Sequence, residues 1–254
     1  MVSVDELGSE FIEKTKYMNM GPSPEGLGEP FPHYLMQADP KLAKIELPKP
    51  EEIALGDSDL RVTIENRRSV RRYANTVLSM EELSYLLWMT QGVKRISERS
   101  GMTLRTVPSA GARHPLETYL SINRVDGLTH GLYHFLADQH MLEAVRLGQE
   151  VNRELTSATL EQQQVATSAV TFIWVAEPYR TVWRYGSRGY RYLFLDAGHV
   201  CQNLHLAAEA IECGVCAIGA YYDDMVNALV GIDGKSQFAI YLASLGKKPK
   251  DQEV

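Results

Sequence analysis

Cysteine is scarce, with three residues in 254. An odd number cannot pair off completely, and so few exclude a disulfide-stapled scaffold. Long apolar runs are missing as well. The longest largely apolar segment, 169–176, is far short of the ~20 residues that span a bilayer. The opening Met1-Val-Ser-Val-Asp-Glu6 carries acid and no apolar stretch, so no secretory leader is expected. Positive charge is in deficit: 26 Lys and Arg against 32 Asp and Glu, a net charge of −6. That balance opposes a nucleic-acid coat, which needs a basic excess to neutralise phosphates. No internal repeat, no second CxxC and no paired histidines at ligand spacing are found, so no metal site is expected.

The remaining composition, 44% hydrophobic and 23% charged, is that of a soluble globular chain. The expectation is a cytoplasmic α/β or α+β protein. Seven of the eleven prolines fall in the first fifty residues and forbid a long helix or central strand there. Residues 1–57 therefore read as a short helix near 9–17 followed by an extended arm anchored by Phe11, Phe31, Tyr34 and Leu35. Residues 58–254 read as the core domain.

Within the core, Asp57 or Ser58 is placed to cap a helix ending near Asn66. Ser79 with Glu82 forms a capping box for a helix through Gln91, stopped by Gly92. Strands are expected at 116–123, 131–136, 140–146, 169–176 and 237–245. Polar helix fills 149–166 in two pieces, and a short helix runs over 223–230. A long helix spans 188–213. It is apolar on most sides, which suits a deep core or a subunit interface. This order predicts a mixed or antiparallel sheet.

Chemistry concentrates in a few clusters. Arg67, Arg68, Arg71 and Arg72 surround the hydroxyl of Ser69, and guanidinium forks match phosphate oxygens. Pro108-Ser-Ala-Gly-Ala-Arg-His-Pro115 brackets small residues with prolines, so its backbone can approach a flat ligand. Arg180, Arg184, Arg188 and Arg191 interleave with Tyr185, Tyr190 and Tyr192. That alternation fits the lip of an anionic pocket, a single-strand binder or solvated helix turns. Cys213-Gly-Val-Cys216 reads as a buried pair rather than a redox dithiol. Cys201 and His205, four apart on the long helix, read as packing.

In their order these pieces resemble the FMN-dependent nitroreductase superfamily, and within it the SagB-type dehydrogenases that oxidise thiazoline and oxazoline rings in modified peptides. The resemblance runs from about Phe11 to Lys248. It is carried by Arg67-Arg-Ser-Val-Arg71, by the 108–115 motif, by 184–203, by Ala217-Ile-Gly-Ala220 and by Gly246-Lys-Lys248. It implies an α+β nitroreductase-like fold with a central, mostly antiparallel sheet flanked by helices. It also implies a homodimer built on the long helix, with FMN at the interface and neither nucleic acid nor membrane as partner.

By the same resemblance, Arg67, Arg68, Ser69, Arg71, Lys247 and Lys248 hold the flavin phosphate and ribityl chain. Pro108, Ser109, Ala110, Gly111 and Arg113 approach from the partner's loop, while Ile218 and Gly219 lie along the ring. Tyr185 is the implied proton relay and Arg184 a clamp on an anionic substrate group. Azole-forming members carry Lys-Tyr where this chain has Arg184-Tyr185, and an arginine stays charged where a lysine can act as a base. The implied activity is two-electron ping-pong redox through flavin N5 on a small molecule or modified peptide. The alternatives are an NAD(P)H-dependent nitro- or quinone reductase on the same fold, and a non-catalytic flavin- or anion-binding protein.

Overall fold

The computed structural model describes residues 4–98 and 100–250. The elements are α1 (Val4–Lys14), β1 (Lys44–Glu46), α2 (Leu60–Asn66), α3 (Met80–Gln91), β2 (Val93–Ile96), β3 (Thr103–Arg105), β4 (Leu116–Ile122), β5 (Gly131–Leu136), β6 (Met141–Leu147), α4 (Glu150–Ala158), α5 (Gln163–Ala166), β7 (Val170–Ala176), α6 (Tyr179–Tyr185), α7 (Gly189–Glu209), β8 (Cys213–Ile218), α8 (Asp223–Val230) and β9 (Phe238–Lys247). Seven strands form one sheet in the order β1-β6-β5-β4-β7-β9-β8, and every neighbouring pair is antiparallel. β2 and β3 form a separate hairpin.

The period-2 geometry of a strand explains the two-sided core. On β7, Phe172 and Trp174 face one side and pack with Leu83, Leu87, Leu193 and Leu204 of α3 and α7. Ile173 and Val175 face the other side and pack with Val151, Leu155, Val226 and Leu229 of α4 and α8. All seven β7 residues are buried, as a central strand covered on both faces requires.

Local signals set most of the boundaries. The Ser79 hydroxyl accepts from the Glu82 N–H while the Glu82 carboxylate accepts from the Ser79 N–H, closing the expected capping box. Gly231, at φ 86°, stops α8 in the left-handed region. Three expectations need correction. Asp59, rather than Asp57 or Ser58, caps α2 through the Val62 N–H. The first helix is Val4–Lys14, not 9–17. The long helix ends at Glu209, so Cys213-Gly-Val-Cys216 belongs to strand β8.

Candidate functional site

After α2 the chain straightens and runs along the outer edge of β8. Ser69 and Val215 form a parallel bridge, and the Val70 N–H donates to the Val215 carbonyl at 2.9 Å. Farther on, the Ala74 N–H donates to the Lys247 carbonyl at 2.9 Å. Two glycines make this close approach possible. A Cβ on Gly214 would lie 2.5 Å from the Val70 Cβ, and one on Gly246 would lie 2.8 Å from the Tyr73 ring. The Tyr73 hydroxyl sits 2.8 Å from Ser244 Oγ, and burial pushes its phenol far up.

With Val70 turned inward, Arg68, Ser69 and Arg71 are exposed and Arg67 is half-buried. Arg71 reaches the Cys216 thiol, and Arg67 faces His205. Burial first, and then the Arg67 charge, lower the His205 pKa. Among the described residues no carboxylate forms an ion pair with Arg67 or Arg71. Arg67 and Arg71 thus bring positive charge to this segment that no carboxylate among the described residues neutralises through an ion pair.

β8 ends at the buried Ile218, and Gly219 beyond it is exposed. A Cβ on Gly219 would meet nothing within 4 Å, so the backbone there borders open space. The two terminal lysines point elsewhere. The Lys247 ammonium pairs with Glu82 and donates to the Ile211 carbonyl at 3.2 Å, and Lys248 pairs with Glu209 at 2.5 Å. Burial pulls Lys247 down, but Glu82 and Cys213 outweigh it and leave its pKa raised.

The 108–115 loop is folded tightly on itself. Gly111, Ala112 and His114 have φ of 58°, 53° and 43°. A non-glycine residue in that region costs roughly 1–3 kcal/mol, so something must hold the turn. Asp196 of α7 does so: its carboxylate accepts from the Ser109 hydroxyl at 2.6 Å and the Ala110 N–H at 3.3 Å. Ser109 Oγ in turn accepts from the His114 N–H at 2.9 Å. Pro108 and Gly111 are left exposed. Arg113 is 1% exposed and lies among the rings of Phe31, Tyr34 and Trp183, with its guanidinium carbon 4.7–5.7 Å from their centroids. Burial lowers its pKa. Its side chain fastens the N-terminal arm, whereas its neighbours Pro108 and Gly111 face outward.

The arginine run of 180–191 divides into separate tasks. Arg180 is buried, forms a 2.5 Å ion pair with Glu117, and donates to the carbonyls of His33 and His114. Arg188 and Arg191 donate to Thr15 and to the Ile12 carbonyl at the C-terminal end of α1. Cations at that end complement the helix dipole. Only Arg184 faces solvent, 4.0 Å from Glu25 and above the Tyr185 ring. The Tyr185 hydroxyl abuts Gly111, where a Cβ would lie 2.3 Å away. Arg184, Tyr185 and the 108–115 loop therefore share one wall.

Cys213 and Cys216 are not arranged as a dithiol. Three residues apart on a strand, Cys213 and Cys216 point to opposite faces. Burial pushes the Cys213 and Cys201 thiols up to about 12. Among the described residues no cluster of His, Cys, Asp or Glu is suited to a metal ion.

An all-antiparallel sheet between two helical layers, with a basic segment on its edge strand and an open glycine beyond that strand, has the architecture of the nitroreductase-type oxidoreductases. Residues 64–247 match the Nitroreductase family, and the chain belongs to it, within the SagB-type branch. A Methanocaldococcus jannaschii protein designated a nitroreductase is 36% identical over 205 residues, covering 81% of this chain and 96% of its own. The trifolitoxin-processing protein TfxB of Rhizobium leguminosarum bv. trifolii is 28% identical over 133 residues, covering 51% of this chain and 36% of TfxB. A crystal structure of an Anabaena variabilis protein assigned as a nitroreductase superposes with a TM-score of 0.73 at 27% identity. It covers 98% of this chain, which spans 48% of that one. No helix among the described residues is long and apolar enough to cross a membrane.

Proposed function

We propose that the protein is an FMN-dependent oxidoreductase that works as a homodimer and passes two electrons between a donor and an acceptor taken in turn. The observation that carries this reading is the arginine segment 67–71, held against β8, where Arg67 and Arg71 have no carboxylate partner among the described residues. It fits a phosphate, and the open space at Gly219 fits a flat ring passing close to backbone. Arg67, Arg68, Ser69 and Arg71 would hold the phosphate and ribityl chain, with Ile218 and Gly219 along the ring. Lys247 and Lys248 would join them only after leaving Glu82 and Glu209. Bound FMN would supply hydride transfer at N5, which no side chain can perform.

The chain's own residues would do the rest. Pro108, Ala110 and Gly111 of one protomer would close over the partner's site and exclude water. The Arg184 guanidinium would orient an anionic group of a small-molecule or modified-peptide substrate. Tyr185 would hold or move a proton at its phenolic oxygen. The dimer is supported by apolar side chains left in water on neighbouring helices: Leu60, Val62 and Ile64 of α2, and Phe194 and Leu195 of α7, each more than 50% exposed. Such a patch marks an interface.

The test is the visible spectrum of the purified protein, with the released cofactor identified by chromatography. A flavin spectrum with FMN released is expected. A colourless protein that FMN cannot reconstitute would overturn the proposal and leave an anion-binding protein. An NAD(P)H-driven reductase is the second reading, favoured by the designation of the 36% identical relative. Rapid bleaching of the flavin by NADPH would select it.

A further inference from the structure

The Asp196 carboxylate stands out as an acid on a helix face that is otherwise apolar, 3% exposed at the start of the third turn of α7. Its two oxygens are divided: Oδ2 accepts a hydrogen bond from the Ser109 hydroxyl at 2.6 Å, and Oδ1 accepts from the Ala110 N–H at 3.3 Å. Because Ser109 Oγ also accepts the His114 N–H at 2.9 Å, the contact reaches both ends of the turn. Between them lie Gly111 and Ala112, both at positive φ, with Gly111 against the Tyr185 hydroxyl. The serine hydroxyl is therefore spent inside its own protomer and is not presented to a ligand.

We propose that Asp196 is a positioning residue: through Ser109 and the Ala110 N–H it latches the 108–115 loop in the strained shape that sets both its exposed Pro108–Gly111 rim and its contact with Tyr185. This assignment rests on the flavin reading above for its functional consequence, but the latch itself is a property of the chain. An amide at this place cannot present a separate oxygen to each donor. The Asp196→Asn side chain keeps one acceptor oxygen and must aim an N–H₂ at Ser109 Oγ or Ala110 N–H. It also removes the cost of burying a carboxylate, a cost evident in the pKa of Asp196. Burial raises that pKa against hydrogen bonds from Ser109 and Ala110 and the charge of His199. Stability and function should therefore part company.

The experiment compares the parent protein with Asp196→Asn, Ser109→Ala and the double variant in three measurements. These are melting temperature, hydrogen exchange of the peptide covering 107–115, and FMN affinity by fluorescence quenching. The expected result for Asp196→Asn is an unchanged or raised melting temperature. Loop exchange should be about tenfold faster and FMN binding about tenfold weaker, as the loss of a charge-assisted hydrogen bond predicts. Ser109→Ala should reproduce the exchange change, and the double variant should add little to it. Parent exchange rates in both single variants would overturn the latch. A fall in melting temperature that accounts for the faster exchange would also overturn it, because the residue would then be a structural prop. If the parent binds no FMN, the flavin reading fails, and the exchange measurement still decides the latch alone.

Discussion

Arginine meets two opposite fates in this molecule. On the edge segment 67–71, Arg68 and Arg71 are exposed and Arg67 is half-buried, with no carboxylate partner for Arg67 or Arg71 among the described residues. Under the N-terminal arm, Arg180 and Arg105 are 2% and 5% exposed and wholly enclosed. Arg180 pairs with Glu117, whose other oxygen lies 3.2 Å from His134. His134 stands 3.8 Å from Glu143, which accepts the Asp39 N–H of the arm at 2.7 Å. Arg105 donates to Gln91, and burial pulls it down to about 10. One set of arginines therefore ties arm, loop and sheet together, while the other leaves charge on offer. A buried cation must be neutralised within the fold, whereas an exposed one can wait for a ligand.

The largest effect should come from breaking the enclosed set. Arg180→Ala strands the Glu117 carboxylate and frees the carbonyls of His33 and His114. Removing one partner of a buried pair costs about 3–5 kcal/mol. For a chain of this size that is a drop of roughly 10 °C in melting temperature, readable by calorimetry. The arm should also become sensitive to proteolysis between the arm prolines.

Acid probes the same network without a mutation. Burial alone would raise the Glu117 pKa, but Arg180, His134 and Arg105 outweigh it and hold the carboxyl at about 2, against an ordinary 4.5. A depressed carboxylate contributes stability above its unfolded pKa and loses it as pH falls toward the folded value. The contribution is on the order of 3 kcal/mol. The midpoint of urea unfolding should therefore fall between pH 4.5 and pH 2, and the fall should be much smaller in Glu117→Gln. An equal acid dependence in both proteins would mean that this pair is not what acid attacks.

Much of this contrast was not legible in the sequence. The regular elements were, because their signals are local: the Ser79/Glu82 box, the Gly231 stop and the apolar run of β7 lie within a few residues of what they specify. The long helix is expected to run to Cys213, with Gly214 as its stop, but it ends at Glu209 and both residues belong to β8. The real role of Gly214 is to let Val70 approach, and that becomes visible only once residue 70 lies beside residue 214. The hairpin β2–β3 is short and largely polar and carries no alternation to find. The arginines of 180–191 looked equivalent because their partners are distant in sequence: Glu117 for Arg180, and Ile12 and Thr15 for Arg188 and Arg191. Lys247 and Lys248 likewise have partners on α3 and α7. Asp196 left one faint signal, an acid inside an apolar helical pattern.

The smallest effect on stability, and the sharpest form of the comparison, belongs to the exposed set. Arg68→Ala combined with Arg71→Ala removes two cations that lie on the surface, where substitutions usually stay within about 0.5 kcal/mol. Repulsion from the remaining Arg67 and Arg72 should even fall slightly. Melting temperature should therefore stay close to that of the parent, in contrast to Arg180→Ala. Flavin retention should behave in the opposite way. Each guanidinium–phosphate hydrogen bond to a charged group is worth about 1.5–3 kcal/mol. The double variant should then purify without flavin and rebind added FMN at least about a hundredfold more weakly. A double variant that keeps its flavin would show that the edge arginines are as incidental to the cofactor as their exposure makes them to the fold. A variant that loses both flavin and stability would erase the distinction between the two sets.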